Sequence, residues 1–469
     1  MNKYYNEILQ KLEPVEFRQK ANFKEENKAL KEKHYDIIVV DAIKESAMAL
    51  GYDFRAKNGI VYIFNGMYWQ VVESGNLAPF LRQAAINLGL DKYIAEHHQF
   101  VGGLIKQFIL SASGLEKETD DTVKINLLNG TFEFGTDIRI REFRKEDFLT
   151  YQLPFEYNLD ANAPLFVEYL NRVLPDVASQ NVLAEYLGYI FTKGSKMEKC
   201  LLLYRSGANG KSVFFNIVTA LLGKQNISNC TLRELGNMNA RALINNKLLN
   251  YSSELDAGIN NDTFKQLVSG EPLQAKQLYK DIFMMDNYAK LMFNCNDLPK
   301  DIEYNTAYFR RWIIIPFTQT IPEQEQDRNL SDKIISDELS GVFNWVLDGL
   351  GRLLTQGGFT ESTEANNALE EFSRETDSTY QFIQNSGYKI HPENVRPLSA
   401  IYREYSRFCP DNGHKALNIG NFRKRLEFHG FSTTRRNYGY GVFLKEEETK
   451  EPEWQQVAYD DDKDDELPF

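Results

Sequence analysis

Cysteine is scarce in this sequence: Cys200, Cys230, Cys295 and Cys409 are the only four in 469 residues. They stand too far apart for a CxxC pair or a Cys/His zinc cluster, and they read as reduced, mostly buried thiols. Histidine is also sparse, at six. The adjacent pair His97 and His98 diverges on a helix and so does not present one face to a metal. No run approaches the roughly 18 apolar residues of a membrane span, and the start, MNKYYNEILQKLEP, lacks the apolar stretch of a secretory signal. No membrane partner is expected, and the chain reads as cytosolic. What is present is 42% hydrophobic and 13% aromatic residues, enough to build a sizeable core across two to four domains.

The net charge of −12 argues against nucleic acid until it is located along the chain. Residues 446–469 carry eleven Asp/Glu and two Lys, whereas residues 380–445 hold eleven Lys/Arg against four Asp/Glu. Such asymmetry between neighbours suggests a nucleic-acid-binding module followed by an acidic tail.

Before that module the pattern is mixed. Residues 1–35 are highly charged and read as a solvated helix or arm. Helical stretches then flank GIVYIFNGMYWQVV, where Asn65-Gly66 predicts a hairpin, and Asn129-Gly130 predicts another near 124–134. In NAPLFVEYLNRVLPD the apolar spacing predicts a helix, with Pro164 suited to its first turn and Pro175 ending it. NVLAEYLGYIFTKG predicts a second.

CLLLYRSGANGKSVFFNIVTALLG carries the strongest signal: an apolar strand, a small-residue loop and an amphipathic helix. This is the context of a phosphate-binding loop. Backbone N–H groups of Gly207, Ala208, Asn209, Gly210 and the helix start through Val213 would solvate the phosphates of ATP. Lys211 would reach the β- and γ-phosphates, and Ser212 would hold Mg2+. Arg205 stands where such loops usually carry glycine, and Gly207 is expected to supply the loop's freedom.

Hydrolysis also needs carboxylates near the magnesium and the attacking water. In KLLNYSSELDAG, Glu254 and Asp256 are two apart, which in an extended strand aligns both on one face. A third apolar strand, AKLMFNCNDLP, ends in Asn296, suited to sensing a γ-phosphate, with Asn294 as the weaker candidate. In YFRRWIIIPF, Arg310 and Arg311 stand just before a buried strand, where one guanidinium could reach a neighbouring subunit's nucleotide.

Taken in order, GANGKS, SSELD, SGEPLQAKQLYKD, LMFNCNDLP and FRRWIIIPF resemble the superfamily 3 helicases of poxvirus type and the phage/plasmid primase-helicases, over roughly 125–445. The resemblance implies an α/β, AAA+-like P-loop ATPase core, a hexameric ring with ATP and Mg2+ between subunits, and movement along single-stranded DNA. It assigns Lys211 and Ser212 to the first motif, Glu254 and Asp256 to the second, Asn296 to the third, and Arg310 or Arg311 to the trans-acting finger. SGEPLQAKQLYKD would be a DNA-gripping hairpin through Lys276, Lys280 and Tyr279, lysines meeting phosphates and the ring a base. No primase site is evident, because the first 120 residues hold only scattered carboxylates.

The expected organisation is an α-rich N-terminal loader or partner-binding region with mixed α/β elements (1–120), a helical collar (121–196), the ATPase core (197–360), a winged-helix domain (375–445) and an acidic tail (446–469). In the winged-helix candidate, Arg423, Lys424, Arg425, Arg435 and Arg436 form a basic surface for forked or duplex DNA, while Ile419, Phe422 and Leu426 pack inward. The tail ends DDDKDDELPF, similar to the C-terminal tip of bacterial single-strand binding proteins. Leu467, Pro468 and Phe469 would recruit a primase, polymerase or other replication partner. The expected function is a DNA helicase of a phage, plasmid or mobile element, acting in a bacterial host cytosol. The competing reading is an ATP-binding initiator or loader that assembles on DNA without processive unwinding.

Overall fold

Short apolar strands joined by turns that contain Asn-Gly build the first sheet. The computed structural model describes residues 3–22, 29–114, 122–135, 139–193, 197–204, 209–255, 260–277, 281–296 and 306–446. Strands β1 (Asp53–Lys57), β2 (Ile60–Phe64) and β3 (Trp69–Val71) are antiparallel, and Asn65-Gly66 lies in the turn where Phe64 pairs with Trp69. A pair not read as a turn from the sequence, Asn58-Gly59, closes the β1–β2 hairpin with φ of 52° and 74°. Positive φ at both residues is what a two-residue type I′ loop requires. Helices Glu32–Ala49, Ser74–Asn87 and His98–Ala112 bury Val39, Ile43, Phe80, Leu104 and Phe108 with Phe54 and Ile63 of this sheet.

The segment expected as a helical collar opens with the hairpin expected near 124–134, β4 (Val123–Leu127) and β5 (Gly130–Phe134), which a third strand not foreseen, β6 (Arg139–Arg141), extends into a second antiparallel sheet. Leu127 pairs with Gly130, so the loop of this hairpin is Leu128-Asn129. Two helices follow, Pro164–Val173 and Val177–Tyr189. The first buries Phe166, Tyr169, Leu170 and Val173. Its opening N–H groups, at Leu165 and Phe166, donate to the Glu338 carboxylate at 2.9 Å each. A negative charge at a helix N-terminus satisfies orphan donors and complements the helix dipole, so this contact ties the helix to the later chain.

The central sheet is parallel: β7 (Cys200–Tyr204), β8 (Ile227–Ser228), β9 (Leu249–Ser252), β12 (Lys290–Cys295) and β13 (Trp312–Pro316). Between β9 and β12 the chain makes a separate hairpin, β10 (Leu273–Lys276) and β11 (Ile282–Met285). The sheet order is β13-β7-β12-β9-β8, which is 5-1-4-3-2 counted along the chain. Both β7 and β13 are buried throughout, as expected of parallel strands covered on two faces. Strand order reverses beside β7, and in such sheets ligands bind outside the carboxyl ends at the reversal.

A second compact unit takes in residues 371 onward. Helices Ser378–Asn385, Leu398–Asp411 and Ile419–Phe428 pack on an antiparallel sheet of β14 (Tyr388–Pro397), β15 (Thr433–Arg436) and β16 (Gly439–Glu446), in the order β14-β16-β15. Its core joins Phe382, Ile401, Tyr405, Phe422, Leu426, Val442 and Leu444. Ile419 departs from expectation: as the first residue of its helix it lies at the rim of this small core and is 43% exposed.

All four cysteines are buried thiols outside any disulfide. Among the described residues no three His, Cys, Asp or Glu side chains group to hold a metal, and no helix is long and apolar enough to cross a membrane.

Candidate active site

β7 delivers the chain to the phosphate-loop candidate, of which Arg205, Gly207 and Ala208 lie outside the described residues. The loop's last residues are held from two sides. Asn209 is buried and donates its amide to Phe317 O at 3.3 Å. Gly210 has φ +83°, and a Cβ there would lie 2.7 Å from Val173 Cγ1 and 3.1 Å from Tyr169 Cε2. Only glycine meets both the backbone and the steric demand at no cost. The Tyr169 hydroxyl donates to Gly210 O at 2.8 Å.

Helix Lys211–Leu222 starts at once, so its first N–H groups and positive dipole end face whatever occupies the space in front. That space is a cleft of about 870 Å³. Lys211, Ser212 and Val213 line it from the helix, Tyr169 and Arg172 from helix Pro164–Val173, Ser253 from beyond β9, Asn294 from β12 and Asn296 from just beyond it, and Arg328 from beyond β13. Lys211 is only 4% exposed, and burial holds its ammonium below the ordinary lysine range. Such a cation gains most from an anion brought to it, since low local dielectric strengthens the pair.

Asn294 on β12 and Asn296, the first residue beyond that strand, both line the cleft. Asn296 is exposed. Asn294 Oδ1 is buried and has no hydrogen-bond partner, while the Tyr251 phenol, raised in pKa by its burial, is partly offset by a hydrogen bond with the same amide. An unsatisfied buried acceptor costs about 1–3 kcal/mol. At the wall of a cleft it is a place for a water or a ligand hydroxyl.

The donors and volume fit a nucleoside triphosphate. For the metal, Ser212 lines the cleft, but Glu254 does not stand as expected. β9 ends at Ser252, whose hydroxyl donates to Glu254 O at 2.9 Å and accepts from Glu254 N at 3.3 Å. This local side-chain turn replaces the ladder, so the strand alternation that would align Glu254 with Asp256 stops short. Glu254 is exposed and does not line the cleft; Asp256 lies outside the described residues. Arg172, Arg328 and Tyr169 were not singled out from the sequence. Arg172 reads as an ordinary solvated helix residue and is ion-paired with Glu325, and Arg328 follows a polar stretch with no motif around it.

The two finger candidates differ sharply. Arg311 is 6% exposed and donates to Ala307 O at 2.7 Å, Glu198 Oε2 at 2.9 Å and Ser269 Oγ at 3.3 Å. Arg310 keeps a side chain 62% exposed, with Glu198 at 3.4 Å. Neither lines the cleft of its own chain. Lys276 is the exposed last residue of β10, at the mouth of the β10–β11 turn, while Tyr279 and Lys280 lie outside the described residues. The base of that hairpin is tied to the first sheet by Asn58 Nδ2 to Met284 O, 3.2 Å, and by Lys57 with Asp286, 3.2 Å.

In the second unit, Lys424, Arg435 and Arg436 are exposed. Arg425 departs from expectation. It turns inward and pairs with Asp377 at 2.5 Å, because that buried carboxylate, 1% exposed, needs a counter-charge. The tail residues Leu467, Pro468 and Phe469 lie outside the described residues.

Comparison with known proteins finds two family models on this chain: "D5 N terminal like" over residues 38–175, and a family of unknown function (DUF5906) over residues 203–311. The viral protein "Putative helicase 184R" of Invertebrate iridescent virus 6 is 24% identical over 260 residues, covering 48% of this chain and 26% of that protein. The chain thus spans about a quarter of that relative. Among solved structures, the A form apo structure of the NrS-1 C terminal region aligns with 11% identity and a TM-score of 0.48 over 86% of this chain and 98% of that one. A second apo structure of the same region aligns with 12% identity and a TM-score of 0.45.

Proposed function

The chain belongs to the superfamily 3 helicase family of phage and viral type, and from that premise we propose that it is an ATP-driven DNA helicase working as a ring. The observation that carries this reading is the cleft at the carboxyl ends of the parallel strands, with buried Lys211 at its floor and the start of its helix facing in. The same cleft supports ATP as the ligand. Lys211 and Arg328 offer charge to the phosphates, Ser212 offers its hydroxyl to Mg2+, and Asn294 or Asn296 orients the attacking water. The metal, when bound, would neutralise charge on the phosphates and the leaving oxygen.

The reaction is incomplete within one subunit. Arg311 is committed to its own fold, so the guanidinium that reaches a neighbour's γ-phosphate is Arg310, exposed and one residue before it. Lys276 at the mouth of the β10–β11 turn would touch DNA phosphates in the ring's channel. The second unit, with two helices before a β-ribbon, supports a winged-helix module for duplex or forked DNA.

The test is ATP hydrolysis with and without single-stranded DNA, for the native chain, Lys211→Ala, Arg310→Ala and a mixture of the two variants. DNA stimulation, loss in each variant and partial recovery on mixing are expected of a site shared between subunits. ATP binding with no hydrolysis in the native chain would replace this reading with an initiator or loader.

A further inference from the structure

We infer that the β15–β16 hairpin, rather than the helix Ile419–Phe428 before it, is the element of the second unit that engages DNA, and that its target is the point where two strands part. This rests on the proposed reading of that unit as a DNA-binding module.

The helix has largely spent its charge internally. Arg425 is ion-paired to buried Asp377 and also lies 4.2 Å over the Phe428 ring. Arg423 stands 4.0 Å over the Tyr440 ring and 3.7 Å from Glu427. Lys424 is left as the exposed cation, beside the exposed acid Glu427. A helix reading a groove by charge needs more than this, since affinity for duplex DNA grows with the number of phosphates neutralised.

The hairpin is built differently. Arg435 pairs across it with Tyr440 and Arg436 with Gly439. Successive side chains in a strand point to opposite faces, so the two exposed arginines stand on opposite faces of the ribbon. Tyr438 lies in the turn and is 59% exposed. Its hydroxyl is 3.3 Å from where a Cβ on Gly441 would sit, a place that Val395 Cγ1 approaches to 2.5 Å, so its outer end rests beside the ribbon at Gly441. Gly439, at φ +113°, sets the turn that presents the ring. Tyr440, 40% exposed, is fixed under Arg423 on the face that Arg435 shares. A ribbon with a cation on each face and an aromatic ring at its tip matches a DNA fork: each arginine meets the backbone of one separating strand, and the ring stacks on the last exposed base. An intact duplex offers the ring no base face.

The test uses the full chain, without nucleotide, and labelled DNA in three forms: single strand, duplex closed by a loop at both ends, and fork. Anisotropy titrations give the preference for the fork over the single strand, which removes whatever the rest of the protein contributes to both. Tyr438→Ala, and separately Arg435→Ala with Arg436→Ala, should lower that preference about 10-fold, as expected for one lost base stack or two lost phosphate contacts. Tyr438→Phe should restore it, Lys424→Ala should change it less than about 2-fold, and closed-duplex binding should ignore Tyr438→Ala. If Lys424→Ala costs more than the hairpin variants, or if Tyr438→Ala leaves the fork preference intact, the hairpin is not the contact. If Lys424→Ala combined with both arginine changes leaves all three DNAs bound as before, the DNA-binding reading of the whole unit fails with it.

Discussion

Tyr169 donates its hydroxyl to the carbonyl of Gly210 at 2.8 Å, so a helix that precedes the central sheet grips the residue that opens the lysine-bearing helix. A side chain at Gly210 would displace that grip. Gly210→Ala is expected to weaken ATP binding by at least about 10-fold, through positive-φ strain and collision with Val173. Tyr169→Phe should cost about 1–2 kcal/mol of stability by leaving the carbonyl unmet. Titration calorimetry with a non-hydrolysable ATP analogue and a thermal melt separate the two.

Arg310 and Arg311 should part company on substitution. Arg311→Ala removes three hydrogen bonds and leaves Glu198 short of its closer partner, and about 2–4 kcal/mol of stability should go with it. Arg310→Ala should leave the urea midpoint nearly unchanged, since exposed pairs contribute little. Its DNA-stimulated hydrolysis should fall at least about 10²-fold. Equal destabilisation by both variants would contradict the assignment.

Lys290 is a built-in cost. Its ammonium lies 4.0 Å over the Tyr189 ring, and burial pushes its pKa down to about 8. An unfolded lysine titrates near 10.4, so between these values the unfolded chain holds the proton and the folded one does not. Stability therefore rises with pH across that window, and the cost is present in full below about pH 8. Lys290→Met should raise stability by about 1–3 kcal/mol at pH 7, and the gain should shrink towards pH 10. Paired melts at the two pH values check it.

The second unit should be acid-sensitive through Asp377. Burial alone would raise this carboxyl, but hydrogen bonds from His429 at 2.6 Å and Arg425 at 2.7 Å outweigh it and hold the pKa below the usual range. A depressed carboxylate stabilises above the unfolded value of about 3.9 and loses that contribution as pH falls through the folded value below it. Asp377→Asn should cost about 2–4 kcal/mol at pH 7, by stranding Arg425, and should flatten the acid limb of a pH melt. A native-like limb in the variant would assign acid sensitivity elsewhere.

Local chemistry was legible wherever it repeats along the chain. Pro164 and the apolar spacing after it marked a helix, and Asn65-Gly66 marked a hairpin, because propensity and turn geometry act between near neighbours. The strand Cys200–Tyr204 and the helix from Lys211 were legible because an apolar run and an amphipathic one stand close together in the sequence. Local rules end where tertiary contacts begin. Strand alternation was carried through Glu254, although the Ser252 hydroxyl ends the strand before it. Ile419 was placed inside by helical spacing, although the core does not extend to the first turn.

The apolar strand and the helix on either side of the phosphate-loop candidate, the charge contrast between residues 380–445 and 446–469, and the scarcity of cysteine were all determined by the sequence alone. Which of two adjacent arginines is spent internally, which asparagine carries an unmet acceptor, and that Arg425 faces Asp377 rather than solvent were decided only by the tertiary structure. The reason is physical. Propensity and periodicity depend on residues a few positions apart, whereas the partner of a charge is chosen by what folding brings beside it, here 48 residues away for Arg425 and 113 for Arg311.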